Sequence, residues 1–392
     1  MIDYKTPGVY VEETATLPAS VVQVPTAIPA FIGVTAKKPE KLTGFSKIGS
    51  LLEYENAFGQ GAGAKAYLYS SIKLFYANGG GDAYVYSVGG ASTALNSKLF
   101  TDALAALEKV PEPTLILFPD AVNLSTGLEE VQKTALKHCY DLRGRFCILD
   151  APTRDSLLGS KGESKLIAAF RTGVGTSNLD YGAAYGPWLQ VAAPAGSNEP
   201  TEVPASGAVA GVYASVDAQR GVWKAPANVS LNGVVGLTEA INDHDQESLN
   251  VDTDGKSINA IRAFPGKGVL VWGARTLKGN DNEWRYVSVR RLFILAEESI
   301  RRSTAFVVFE PNDANTWIKV KAMIENFLTG LWRQGALAGA KPEQAFFVNV
   351  GLGTTMTPQD VLEGRMIVNV GMAAVRPSEF VVIRFSHKLQ TA

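Results

Sequence analysis

The sequence predicts an α/β fold followed by an α+β region, with an extended, strand-forming segment at each end of the chain. Three observations carry this. Strand-like and helix-like stretches alternate from residue 31 onward, the strands are near-continuous apolar runs, and prolines punctuate both termini. A strand apolar on both faces belongs to a mainly parallel sheet covered by helices, because a sheet with one wet face alternates apolar and polar residues.

Residues 1–30 carry Pro7, Pro18, Pro25 and Pro29, and between them lie Val9-Tyr10-Val11 and Val21-Val22-Gln23-Val24. Proline removes amide donors and forbids a helix interior, so this segment reads as an arm that pairs in short pieces. Phe31-Ile32-Gly33-Val34 opens the alternation as a strand. Helices are expected over 51–58, 66–76, 104–110 and 128–140, and strands over 83–88, 114–118 and 146–150. These form a parallel α/β domain spanning 31–240. Residues 191–208 are small, polar and Pro-bearing and read as a surface loop, and 242–260 form a second polar stretch. After the Pro265-Gly266 turn come a strand at 268–273, helices near 285–302 and 313–331, and strand-like runs at 345–350, 365–370 and 379–385. A second domain thus covers 241–376, and 377–392 form a C-terminal strand arm.

The chain has 392 residues, with 37 Lys+Arg against 38 Asp+Glu. That balance excludes the electrostatic footprint of a nucleic-acid or anionic-membrane binder. Charged residues make up 19%, against roughly 25% in ordinary domains, so part of the surface is expected to lie under neighbours. Two cysteines, Cys139 and Cys147, make no disulfide framework and point to synthesis in a reducing compartment. The N-terminus lacks a basic, apolar leader, and no 18-residue apolar run spans a membrane.

Motifs for chemistry fail on context. Gly61-Ala62-Gly63-Ala64-Lys65-Ala66 matches a dinucleotide fingerprint but follows a helix instead of a strand. Asp254-Gly255-Lys256-Ser257 resembles the end of a phosphate loop, yet Asn250 holds the place of its first glycine. Asp252 and Asp254 suggest a calcium loop that lacks its closing Glu, so a solvated turn is expected. His138 beside Cys139 reads as a surface histidine next to a core thiol, since adjacent helical residues do not face each other. Glu12-Glu13, Glu129-Glu130 and Glu297-Glu298 meet the same objection. No catalytic, cofactor or metal residue is assigned.

Recurring segments are more informative. Thr6-Pro7-Gly8-Val9-Tyr10-Val11-Glu12-Glu13 and Val24-Pro25-Thr26-Ala27-Ile28-Pro29-Ala30-Phe31-Ile32-Gly33 open the chain. Gly211 to Asp217, Arg220 to Asn228, Ile258 to Arg262, Val271 to Leu277 and Trp284 to Arg291 follow, and Val375 to Phe385 closes it. Together these resemble the contractile tail sheath proteins of bacteriophages and of phage-tail-like injection particles. The likeness covers most of the chain; over 90–205 it is one of layout.

The resemblance implies a structural subunit, not an enzyme, that needs no cofactor and stacks on itself as hexameric rings around an inner tube protein. The sleeve would contract without nucleotide hydrolysis and drive the tube through a target envelope. Baseplate and tail-terminator or cap proteins would be further partners, with no nucleic acid and no membrane insertion. Assembly would occur in the bacterial cytoplasm, and action in a virion tail or released particle. It also implies that 31–240 face outward and 241–376 inward. A static tube or shell subunit is the alternative, and an α/β hydrolase a remoter one.

Two working parts follow. Both arms are expected to exchange strands between subunits, through Val9, Tyr10, Val11, Val21, Val22 and Val24 at one end and Phe380, Val381, Val382, Ile383, Arg384 and Phe385 at the other. The 313–331 helix places Trp317, Val320, Ile324, Phe327 and Leu331 on one stripe. Lys319, Lys321 and Asn326 lie off that stripe, and the inner placement implies that they touch the tube. In the preceding helix, Glu297 with Arg301 and Glu298 with Arg302 are spaced as i, i+4 pairs. Arg290, Arg291, Arg301 and Arg302 are open to pairing within or between subunits.

Overall fold

A computed structural model describes residues 20–37, 44–63, 65–151, 158–159, 162–163, 165–192 and 199–380. It divides into two compact units, one of residues 23–298 with the segment after 373, the other of residues 299–373 with those up to Val22. The strands of the larger unit's main sheet are β1 (Pro29–Val34), β2 (Ser46–Ile48), β3 (Ala83–Gly89), β4 (Leu115–Leu117), β5 (Phe146–Asp150), β6 (Gly182–Gly186), β7 (Val229–Ser230), β8 (Ile258–Phe264) and β9 (Gly268–Val271). They form one sheet in the order β7-β9-β8-β6-β5-β4-β1-β3-β2. The run from β3 to β8 is parallel, and β2, β9 and β7 pair antiparallel at the margins.

Every residue of β1, β4, β5 and β6 is buried, so both faces of the sheet are covered. Helices α1 (Leu51–Phe58), α2 (Leu68–Ala77), α3 (Ser97–Leu107), α4 (Leu128–Leu142), α5 (Lys165–Gly173), α6 (Ser206–Arg220) and α7 (Asp243–Asn250) belong to this unit. α2 packs on α6, and α3 on α4. The first contact is close because α6 presents glycines: a Cβ on Gly207 would meet the Ser71 carbonyl oxygen at 2.4 Å, and one on Gly211 that of Phe75 at 2.5 Å.

Strand order reverses at β1, where doubly wound sheets ordinarily leave a ligand crevice. Here the nearby amides turn onto a side chain of the protein itself: Val34 N and Tyr67 N donate to the two carboxylate oxygens of Asp120, at 2.6 and 2.5 Å. Two strands over, at the end of β5, Asp150 accepts from the amide and hydroxyl of Ser206 at 2.7 and 2.6 Å, holding the start of α6. Burial pushes both carboxyls up to about 7, against the pull of these donors.

Several expectations change. The 104–110 helix begins at Ser97, because Asn96 accepts from Leu99 N and caps it. α6 starts inside the expected 191–208 loop; its small residues hide helical periodicity because it is buried almost all round. Within 242–260, a capping box between Asn242 and Asp245 launches α7, and β8 begins at Ile258. The larger unit runs on to Glu298, past the expected 240/241 boundary, since β8 and β9 extend its sheet. His138 is buried, not at the surface; it contacts the Arg145 guanidinium, and burial lowers its pKa to about 4. Nor is Asp252 freely solvated, for it pairs with buried Arg171 at 3.2 Å.

In the smaller unit, α9 (Ala314–Arg333) packs on the antiparallel ribbon of β10 (Phe346–Val350) and β11 (Val368–Met372). Asp313 accepts from Thr316 N and starts α9. The buried stripe of α9 is Val320, Met323, Ile324, Leu328 and Leu331; Trp317 and Phe327 are only half-buried, correcting the expected stripe. The unit boundary falls within α8 (Val287–Ser303).

Candidate assembly sites

Two buried arginine clamps hold the residues that adjoin the arms, Thr26 and Glu379. Thr26 lies just ahead of β1, and its hydroxyl donates to Asp217 Oδ2 at 2.5 Å. Arg291 donates to Asp217 through both terminal nitrogens, at 3.0 and 2.5 Å, and to the Thr26 carbonyl at 2.9 Å. Its guanidinium also lies over the Tyr213 ring, 4.6 Å from the centroid. The side chains of Arg291 and Asp217 are 3% and 7% exposed, so each charge depends on the other for solvation. Neighbouring Arg290 is buried as well, stacked on Tyr181 and Trp284 and paired with Glu297 at 3.3 Å. Arg290 and Arg291 therefore act inside the subunit.

The second clamp holds the start of the C-terminal arm. Arg275 Nε and Nη2 donate to Glu379 at 2.9 and 2.6 Å, in a fork that matches the carboxylate. Asn250 Nδ2 and the Tyr286 hydroxyl add bonds at 3.0 and 3.3 Å. Burial opposes ionisation of Glu379, but the bonds from Arg275, Asn250 and Tyr286 outweigh it and hold the carboxyl below its usual range. Asn259 fixes Arg275 in turn: its side-chain oxygen accepts from Arg275 N at 2.7 Å, and its amide donates to the Arg275 carbonyl at 2.8 Å. A cleft of about 950 Å³ opens beside this clamp, with Lys224, Trp272, Tyr286 and Phe380 among its lining residues.

Of the expected exchange residues, Val21 is buried, Val24 half-buried and Val22 71% exposed, with Val22 N donating to Ser303 Oγ at 3.0 Å. Phe380 is also 71% exposed and outside any strand. Val9, Tyr10, Val11, Val381, Val382, Ile383, Arg384 and Phe385 lie outside the described residues. On α9, Lys319 and Asn326 are exposed, and half-buried Lys321 faces Glu325 at 3.8 Å. The sequence reading missed Ile318, which is 66% exposed on the same helix. It also missed Thr26, Asp217, Arg275, Arg291 and Glu379 as anchors. The available signal was their place in the recurring segments at the chain's opening, middle and end.

Among the described residues the β10–β11 ribbon has two strands, so the outer edge of each offers main-chain donors and acceptors to no ladder. Among the described residues, then, the candidate assembly features are a sheet domain with Thr26 and Glu379 clamped to it and a two-stranded ribbon, the build of a structural subunit.

Two family models match the chain, the phage tail sheath protein central domain over residues 94–277 and the phage tail sheath C-terminal domain over 279–388. The chain is 35% identical to the sheath of the PVC extracellular contractile injection system in its contracted state, with a TM-score of 0.80, covering 100% of this chain and 99% of that one. It is 38% identical to the contracted helical sheath of the anti-feeding prophage, with a TM-score of 0.78 and coverage of 98% and 100%. The tail sheath protein of Vibrio phage KVP40 is 24% identical over 277 residues, 64% of this chain and 40% of that protein. The chain spans less than half the length of the first curated phage relatives that it matches. It belongs to the contractile tail sheath family, whose members here include sheaths of phage tails and of extracellular contractile injection systems.

Proposed function

We propose that this chain is the subunit of a contractile sheath, a structural part and not an enzyme, that stacks as hexameric rings around an inner tube. The full-length likeness to two contracted injection-system sheaths supports the placement in a released particle, with a baseplate at one end and a terminator or cap at the other. Assembly takes place in the bacterial cytoplasm. Contraction runs downhill from a metastable extended state, so no nucleotide is hydrolysed.

The ribbon, two-stranded among the described residues, is the observation that carries the mechanism. A two-stranded ribbon is marginal alone, and added strands complete it. In this reading 9–11 of one neighbour and 380–385 of another pair with the ribbon, while 21–24, with Val21 buried and Val22 N bonded to Ser303 Oγ, stay with their own chain. The clamps on Thr26 and Glu379 keep each arm attached to its own body, so pull on the arm reaches the sheet. Exchanged strands then hold subunits together while the bodies rotate. The α9 side chains Lys319, Lys321, Asn326 and Ile318 meet the tube; weak exposed pairs there, worth about 0–1 kcal/mol each, suit a contact that must release.

Deleting residues 381–392 keeps the Arg275–Glu379 clamp and removes the donated strand. The variant is expected to remain a folded monomer by circular dichroism and to form no sleeves by electron microscopy. Sleeves that still assemble and contract would overturn the exchange, and sleeves of one fixed diameter in the intact protein would make it a static tube.

A further inference from the structure

Residues 304–313 of the smaller unit turn their apolar side chains outward: Phe306, Val308 and Phe309 are 48%, 65% and 103% exposed. The segment is built from successive turns, in which the amides of Val307, Val308 and Glu310 donate to the carbonyls of Thr304, Ala305 and Val307. Phe309 has φ +72°, a left-handed conformation unfavourable for a bulky residue. A strained backbone that holds a phenyl ring fully in water stabilises nothing in the lone subunit, and such outliers concentrate where a partner is met.

The larger unit carries the matching concavity. The cleft of about 950 Å³ has Trp272, Tyr286 and Phe380 in its lining and room for an aromatic side chain; of its charged residues Arg262 pairs with Asp243 and Arg275 with Glu379, Glu247 faces His244, and Lys224 is the remaining cation. The Lys224 ammonium donates to the Ala225 carbonyl at 3.3 Å, and no carboxylate pairs with it among the described residues. Residues 304–313 carry Glu310 and Asp313 and no basic residue, and Asp313 is engaged in capping α9. Glu310 is the exposed acid next to Phe309.

The geometry points to a knob-and-socket contact between copies of this chain: Phe309 of one subunit enters the Trp272 cleft of another, and Glu310 pairs with Lys224 there. Knob and socket are different surfaces of one chain, so the contact is head-to-tail and repeats from copy to copy without closing on itself. A second copy is the occupant because one sequence carries both the exposed Phe309–Glu310 pair and an aromatic-lined cleft whose Lys224 has no carboxylate partner among the described residues. The contact rests on the sheath reading and adds to strand exchange a body-to-body interface made by side chains.

The test is disulfide trapping in assemblies of the full-length protein carrying Phe309→Cys together with Ser248→Cys, a further lining residue of the cleft. Native Cys139 and Cys147 are buried and do not interfere. Mild oxidation is expected to give a ladder of covalent dimers, trimers and longer chains that neither single variant gives. Separately, Glu310→Lys and Lys224→Glu should each lower sleeve yield about tenfold, and the two reversals combined should restore it. No ladder above the single-cysteine controls, or no restoration by the double reversal, overturns the contact. If the wild type nevertheless forms sleeves, the sheath reading stands and the knob alone falls; a wild type with no sleeves brings down both.

Discussion

The Arg291–Asp217–Thr26 clamp offers a quantitative test of how the N-terminal arm is anchored. Asp217→Asn keeps the side-chain shape but leaves the Arg291 guanidinium, 3% exposed, with the Thr26 carbonyl, the Tyr213 face and one amide oxygen. Breaking a buried pair from one side costs about 3–5 kcal/mol, and the surviving contacts place this variant near the lower end. Arg291→Met strands Asp217 with only the Thr26 hydroxyl and should cost about 4 kcal/mol. Thr26→Val removes one bond to a charged acceptor, about 1.5–3 kcal/mol. The Asp217→Asn/Arg291→Met double variant removes both charges, so it should fall short of the summed singles by about 2 kcal/mol. Urea unfolding of the free subunit, followed by tryptophan fluorescence, reads all four values. Single-variant costs below about 1 kcal/mol, with strict additivity, would refute the clamp.

Other outcomes follow from the core and the α9 face. Asp120 and Asp150 have folded pKa values raised to about 7, so the stability they give is present below about pH 4 and is lost as pH rises through 7. His138, lowered to about 4, works the other way, losing stability as pH falls from about 6.5. Comparing urea midpoints of wild type and Asp120→Asn from pH 4 to 8 isolates the first effect; the variant should lose part of the acid-side gain. Gly211→Ala should destabilise by about 1–3 kcal/mol in the same assay, because its methyl would press on the Phe75 carbonyl. Ile318→Glu with Lys319→Glu should leave subunit stability unchanged and abolish co-assembly with the tube in a pull-down.

The parallel sheet was legible because buried strands such as 146–150 are short, unbroken apolar runs, and α1 has the bounds expected for it, 51–58. What escaped lacked a local signature. α6 is built of small residues chosen for close approach to α2, so it shows no amphipathic period. β6, Gly-Ala-Ala-Tyr-Gly, is a strand by neighbours and not by propensity. The clamps join positions up to 265 residues apart, so no spacing rule reveals them. Family-like segments marked the right residues, but only the fold shows that Arg291 meets Thr26 and that Arg275 meets Glu379. His138 went wrong for a related reason: its partner Arg145 comes from beyond its own helix.

Cryo-electron microscopy of assembled particles puts the central claim to its most direct trial. The account predicts that the Phe346–Val350 and Val368–Met372 ribbon gains strands from the N-terminal arm of one neighbouring copy and the C-terminal arm of another, in the extended and the contracted sleeve alike. A ribbon flanked in both states only by its own chain's segments would contradict it.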